Sequence, residues 1–238
     1  MSDNQVGTYK LVASPFHLDV RGKLSIGVLG KHLLNCADAY AAERGFDVVE
    51  QEGEHYTWVL SRLAVELDDL PSCHESFSIQ TWVENVYRLF ADRNFAILNK
   101  DDKPIGYVRS VWAMISMETR TPANLLALHG ERITNSICEK ECPIAKPGRV
   151  KVSQQEAVSE YVAKYSDLDI NGHVNSIKYI EHILDLFPLE TYKEKALKRF
   201  EIAYVAESYY GDALSFYLEQ KGENEYDIEV KKNNQEVV

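Results

Sequence analysis

Leu168-Asp169-Ile170-Asn171-Gly172-His173-Val174 and, 150 residues earlier, Leu18-Asp19-Val20-Arg21-Gly22-Lys23-Leu24 are versions of one heptapeptide. Leu, Asp, Val or Ile, and Gly recur in order, and both stretches lead into apolar residues at helical spacing. A second echo sets Leu63 to Val83 against Phe200 to Gln220, 137 residues apart. Repetition at this length predicts a duplicated unit of one helix and one antiparallel sheet.

Working outward from the first copy, Leu24, Val28, Leu29, Leu33, Cys36, Ala37 and Tyr40 mark the apolar stripe of a long helix. Gly45 is its natural stop, and Gly27 and Gly30 mark close packing on a sheet. Thr8 to Val20 alternates as an opening strand. Residues 56–67, 76–83, 88–99 and 105–117 are rich in β-branched and aromatic residues and are separated by turn clusters. The class is α+β. In the second half the order returns: a strand near 158–165, a helix from about Val174 to Phe187, strands from Phe200, and a hairpin at Gly222-Glu-Asn224. Prolines, a glycine and charges at 138–151 read as a connection. The expected division is 1–137, a 138–151 linker, and 152–238.

The chain has 238 residues, 45% of them hydrophobic, enough for a substantial core, and its net charge is −11. That charge disfavours nucleic acid and anionic membranes as partners. No apolar run approaches the roughly 18–20 residues of a membrane span, and Met1-Ser-Asp-Asn-Gln5 lacks the regions of a signal peptide. The expectation is a cytoplasmic protein with no membrane insertion. Cys36, Cys73, Cys138 and Cys142 read as reduced thiols, and Cys138 with Cys142 has no second Cys or His pair nearby, so no metal is expected.

The two copies differ where chemistry could occur. Arg21 and Lys23 in the first become Asn171 and His173 in the second, and Leu70 becomes Glu207. Asp169, Asn171 and His173 fall on alternate residues and, if extended, point one way. The loop enters a helix, whose first N–H groups suit a developing oxyanion. Histidine titrates near neutrality, as acid–base work at a carbonyl requires. The same residue types also make an ordinary turn and N-cap, and residue types alone leave both readings open.

Asp169-Ile-Asn171-Gly-His173-Val-Asn175-Ser-Ile-Lys-Tyr179 resembles the D-x-N-x-H-V-N-N-x-x-Y motif of the acyl-ACP thioesterases of plant plastids and bacteria. Trp58-Val-Leu-Ser-Arg62 resembles the family's W-V-x-x-R segment. Ser110-Val-Trp112-Ala-Met114-Ile, with Thr119-Arg120, resembles its S-x-W-V-M-M…T-R stretch, and Ala203-Tyr204-Val-Ala-Glu207-Ser208 falls where it has E-Y-x-x-E-C. In order, these cover most of the chain from about Tyr9 to Leu218.

The resemblance implies a double hotdog and hydrolysis of the thioester between a fatty acyl chain and acyl carrier protein, with no cofactor. Carried over, the catalytic set is Asp169, Asn171, His173 and Glu207. Asn171 and helix-start N–H groups would bind the thioester oxygen, His173 would shuttle a proton, and Glu207 would activate water. Asp169 would support them or attack directly. The first half would line the acyl chain, with Trp58, Arg62, Trp112 and Met114 as substrate-binding candidates. Ser208 stands where many members have Cys, which argues against a thiol nucleophile there.

The partner implied is the 4'-phosphopantetheine-linked acyl carrier protein, which is acidic. Candidate basic residues for docking are Lys193, Lys195, Lys198 and Arg199, then Arg88, Arg93 and Arg109, then Lys146, Arg149 and Lys151. The protein would be a monomer or homodimer. The alternatives are an acyl-CoA thioesterase or a hydratase on the same fold, or a non-catalytic acyl-binding hotdog protein.

Overall fold

A computed structural model describes residues 5–51 and 53–238; Met1 to Asn4, most of the stretch read above against a signal peptide, lie outside them. The chain divides into two compact units. One runs to Pro147 and takes in Lys195–Ile202; the other is Gly148–Glu194 with Ala203–Val238.

In the first unit, β1 (Gly7–Val12), β2 (Val49–Gln51), β3 (Glu54–Leu67), β4 (Ser76–Val86), β5 (Ala91–Leu98) and β6 (Pro104–Ser116) form an antiparallel sheet. Its order is β1-β4-β5-β6-β3-β2, and β8 (Arg199–Ala203) also pairs with β3. Helix α1 (Ile26–Glu43) packs against β4. Ser25 caps it by accepting the Val28 N–H, and Gly45, at φ +67°, ends it in a conformation that costs glycine little. Leu29, Leu33, Cys36, Ala37 and Tyr40 are buried as the stripe predicts. Gly27 and Gly30 are buried with them, so the two glycines serve close approach. The opening strand is shorter than expected. It ends at Val12, and Pro15–His17 form a 3-10 turn, because Pro15 holds φ near its fixed value and cannot donate to a ladder.

Two short helices follow β6, α2 (Leu125–His129) and α3 (Glu131–Thr134). The stretch read as a linker is structured over its first part. Cys138, Cys142 and Ile144 are buried with Trp82, Ala96 and Leu98, so their apolar area helps close the first unit's core.

In the second unit, β7 (Ser159–Val162), β9 (Ala213–Gly222), β10 (Glu225–Lys232) and β11 (Glu236–Val237) form a four-stranded sheet, order β11-β10-β9-β7. Its helix α4 (Ser176–Leu184) buries Ile177, Tyr179, Ile180 and Ile183, and α5 (Leu189–Glu194) follows. The helix is shorter than the predicted 174–187. Val174 is in a β-bridge with Leu168, and Pro188 disfavours helical backbone at the residue before it.

Both sequence offsets are realised as strand register. Val12 opposes Ser76 and Leu11 opposes Phe77 in the first unit; Val162 opposes Ala213 and Tyr161 opposes Leu214 in the second. The architecture is α+β, a double hotdog of two tandem helix-plus-sheet units.

Candidate active site

The repeated heptapeptide folds the same way twice. Asp19 N–H donates to Lys23 O at 2.8 Å, and Asp169 N–H to His173 O at 2.8 Å. Asp19 Oδ1 accepts from the N–H groups of Arg21 and Lys23 at 2.9 and 3.2 Å, and Asp169 Oδ1 from those of Asn171 and His173 at 2.8 and 3.1 Å. Leu24 N–H reaches Pro71 O, and Val174 N–H reaches Ser208 O, each at 2.8 Å. Gly22 and Gly172 sit at φ +72° and +80°, which explains why both copies keep glycine there.

The side chains then diverge. His173 Nε2 lies 3.5 Å from Glu207 Oε2, and the Tyr209 hydroxyl donates to the same carboxylate oxygen at 3.2 Å. The Tyr209 ring packs edge-on against the imidazole, centroids 5.1 Å apart. Lys232 Nζ donates to the Glu207 carbonyl at 2.9 Å, which fixes the backbone that carries the carboxylate. Both members of the pair are partly exposed, at 17% for His173 and 36% for Glu207, so a substrate atom or water can reach them. Residue types alone had not singled out Tyr209. The available signal was the second offset, which aligns it with Ser72, the bridge partner of Lys23.

Asn171 is exposed, two residues before His173 on the same loop. Most of the loop and helix-start N–H groups that could hold an oxyanion are taken. Those of Asn171 and His173 go to Asp169 Oδ1, and that of Gly172 to Asp169 O. Those of Val174 and Asn175 go to the carbonyls of Ser208 and Asp167, and that of Ile177 to the Asn175 side chain. The exposed Asn171 side-chain amide is a donor at this loop for a developing negative charge.

Ser208 is fully buried, and its hydroxyl has no hydrogen-bond partner among the described residues. Its position does not suit a nucleophile, which must meet substrate. Asp167, just before the loop, is also buried. Burial opposes its ionisation, but the Lys164 N–H, the Tyr161 hydroxyl and His182 outweigh that and hold its carboxyl below the ordinary range.

In the first unit, Trp58 faces Met114 and Leu60 faces Trp112 across β3 and β6, so Trp58, Trp112 and Met114 share one face. A register shift between Leu60 and Arg62 sets Arg62 opposite Val111, on the other face, so Arg62 does not join them. His129 stacks on Trp58, with ring planes 6° apart and centroids 5.9 Å apart, and its Nε2 is 3.3 Å from Met114 Sδ. Burial, with Arg132 nearby, drops its pKa to about 4, so it is neutral near pH 7. Tyr56 and Ser116, next along the same face, line a cavity of about 370 Å³ with Ala123 and Leu128.

Three proposed docking cations are committed internally. Arg93 is buried, donates to Ala37 O at 2.8 Å and packs over the Tyr40 ring. Arg109 is paired with Glu84 at 2.5 Å and donates to the carbonyls of Cys142 and Ile144. Arg199 is paired with Glu66 and Glu201. Among the described residues no helix is long and apolar enough to cross a membrane.

Two helix-plus-sheet units related by duplication, with the His173–Glu207 pair in the second, define a double-hotdog protein. Residues 9–127 match the acyl-ACP thioesterase N-terminal domain and residues 150–237 its C-terminal domain, and the chain belongs to the acyl-ACP thioesterase family. It is 61% identical to an acyl-ACP thioesterase from Bacteroides thetaiotaomicron of known structure, covering 100% of this chain and 97% of that one, with a TM-score of 0.94. It is 27% identical over 192 residues to a chloroplastic palmitoyl-acyl carrier protein thioesterase of Gossypium hirsutum, covering 76% of this chain and 46% of that protein. The chain therefore spans about half the length of the curated relatives it matches. A 12:0-ACP thioesterase from Umbellularia californica shares the fold at 14% identity, with a TM-score of 0.77, covering 98% of this chain and 91% of that one.

Proposed function

We propose that this protein hydrolyses the thioester of fatty acyl-ACP, releasing free fatty acid and terminating chain elongation. The observation that carries the reading is the His173–Glu207 contact at 3.5 Å, with Asn171 exposed on the adjoining loop. Glu207 takes a proton from water as the water oxygen bonds to the thioester carbon. The carbonyl oxygen gains negative charge and accepts from the Asn171 amide. Glu207 passes that proton to His173, which delivers it to the departing phosphopantetheine sulfur as the carbonyl re-forms and the C–S bond breaks.

Asp169 is a loop-holding residue in this scheme. Asp19 makes the same two backbone bonds in the copy that lacks the pair, so these bonds serve the turn and need no covalent role. The first unit binds the acyl chain, with Trp58, Trp112 and Met114 as its contacts. At about 0.8 kcal/mol per buried methylene, such a surface can discriminate chain lengths. The carrier protein docks through exposed lysines and arginines that are not committed to internal pairs.

The test compares turnover of acyl-ACP with acyl-CoA of equal chain length, for wild type, His173→Ala and Glu207→Gln. Acyl-ACP turnover that both substitutions abolish supports the reading. Preference for acyl-CoA replaces the carrier, and no turnover of either leaves an acyl-binding protein.

A further inference from the structure

Asp167 touches the strand, the turn and the helix on either side of the His173 loop. Its Oδ2 accepts from the Tyr161 hydroxyl on β7 at 2.8 Å and from Lys164 N–H at 2.7 Å. Its Oδ1 lies 3.2 Å from His182 Nε2 on α4. Its carbonyl accepts from Asn175 N–H, the helix N-cap, at 2.8 Å. The Tyr161 and His182 rings lie 4.0 Å apart, and His182 also meets Phe216 of β9. One buried carboxylate thus ties strand, turn and helix together at the base of the loop that ends in His173.

The duplication supplies a comparison within the same chain. At the 150-residue offset Asp167 corresponds to His17, His182 to His32 and Tyr161 to Leu11. The backbone bond is retained, with Ser25 N–H donating to His17 O at 2.9 Å. The side-chain tie is not. The His17 and His32 rings meet edge-on at 5.6 Å, and His17 Nδ1 and His32 Nε2 are buried without a hydrogen-bond partner among the described residues. A shared fold requirement would appear in both units. The carboxylate tie occurs only in the unit with His173 and Glu207.

We propose that Asp167, with His182 and Tyr161, is the positioning network that aims His173 at Glu207. The proposal rests on the hydrolase reading for its link to turnover, but the placement of His173 can be read separately. The full chain is tested as wild type, Asp167→Asn, His182→Leu and His182→Gln, the last keeping an N–H near the reach of Nε2.

Asp167→Asn and His182→Leu are expected to lower kcat about tenfold to a hundredfold with KM for acyl-ACP within about twofold, since misplacement by about 1 Å has that effect. His182→Gln is expected to restore most of the loss. Undiminished kcat in folded Asp167→Asn and His182→Leu overturns the proposal. So does equal loss in His182→Gln and His182→Leu that follows their melting temperatures, because that marks a purely structural role. If Asp167→Asn does not fold, the two His182 variants carry the test.

The imidazole NMR resonances of His173 are expected to move in Asp167→Asn, or in His182→Leu if that variant alone folds. Unmoved resonances overturn the proposal. If wild type turns over neither acyl-ACP nor acyl-CoA, the hydrolase reading falls and the resonances still decide the positioning of His173.

Discussion

Lys23, the counterpart of His173, holds its Nζ 2.8 Å from Asp69 Oδ1, and Asp69 is the residue before Leu70, the counterpart of Glu207. One loop position thus carries the cation of a surface ion pair in one copy and the imidazole of the candidate catalytic pair in the other. Lys23→Ala should cost less than about 1 kcal/mol, the usual worth of an exposed pair, and leave turnover intact. Glu207→Gln and His173→Ala should each lower kcat by about 10²–10⁴. Steady-state kinetics with thermal melts separates the two, and equal effects in both units would sink the assignment.

Ser208→Ala should keep turnover close to wild type, because the hydroxyl is buried and away from solvent. Near-complete loss with an unchanged melt would restore a nucleophile at this position.

Tyr209→Phe removes the hydroxyl that donates to Glu207 but keeps the ring against His173. Turnover should fall roughly threefold to tenfold, the equivalent of about 1 kcal/mol for one hydrogen bond. Tyr209→Leu, which also removes the ring, should fall further. Identical values for the two variants would show that the hydroxyl alone matters.

His129 is neutral in the fold down to about pH 4, whereas an unfolded histidine takes its proton near pH 6.5. Between those values the unfolded state binds more protons, so this group's contribution to stability is full above about 6.5 and is lost as pH falls towards 4. The loss is on the order of 1–3 kcal/mol. His129→Phe should flatten that part of the stability curve relative to wild type in denaturant titrations. Parallel curves would contradict the burial argument.

Gly172→Ala should cost about 1–2 kcal/mol, from backbone strain alone, since no atom lies within 4 Å of the added Cβ. Gly22→Ala should cost a similar amount and leave kcat unchanged, whereas Gly172→Ala should also lower kcat by shifting the His173 loop.

Much of the fold was legible because the duplicated loop depends on local chemistry: a glycine at positive φ, an aspartate bonding two N–H groups and a helix cap. Such features survive in a short string of residues. The long strands were legible from their β-branched and aromatic content. Non-local effects were not. Nothing local announces that the bulge near Leu60 turns Arg62 away from Trp58. The Asp167–His182 tie could have been found by extending the 150-residue alignment past the heptapeptide to His17 and His32. The internal use of Arg93 and Arg109 could not, because their partners, backbone carbonyls, a ring face and Glu84, lie far away in sequence.

Strand β8 has a consequence for biogenesis. Arg199–Ala203 is synthesised after α4 and α5, yet it pairs with β3. On the ribosome, the amino-terminal sheet therefore keeps an uncovered edge until about two hundred residues have emerged, and such edges invite pairing with other chains. A fragment cut at Pro147 would carry that defect permanently. Expressing the halves apart should yield aggregates unless the 195–202 segment is returned, as a peptide or by circular permutation.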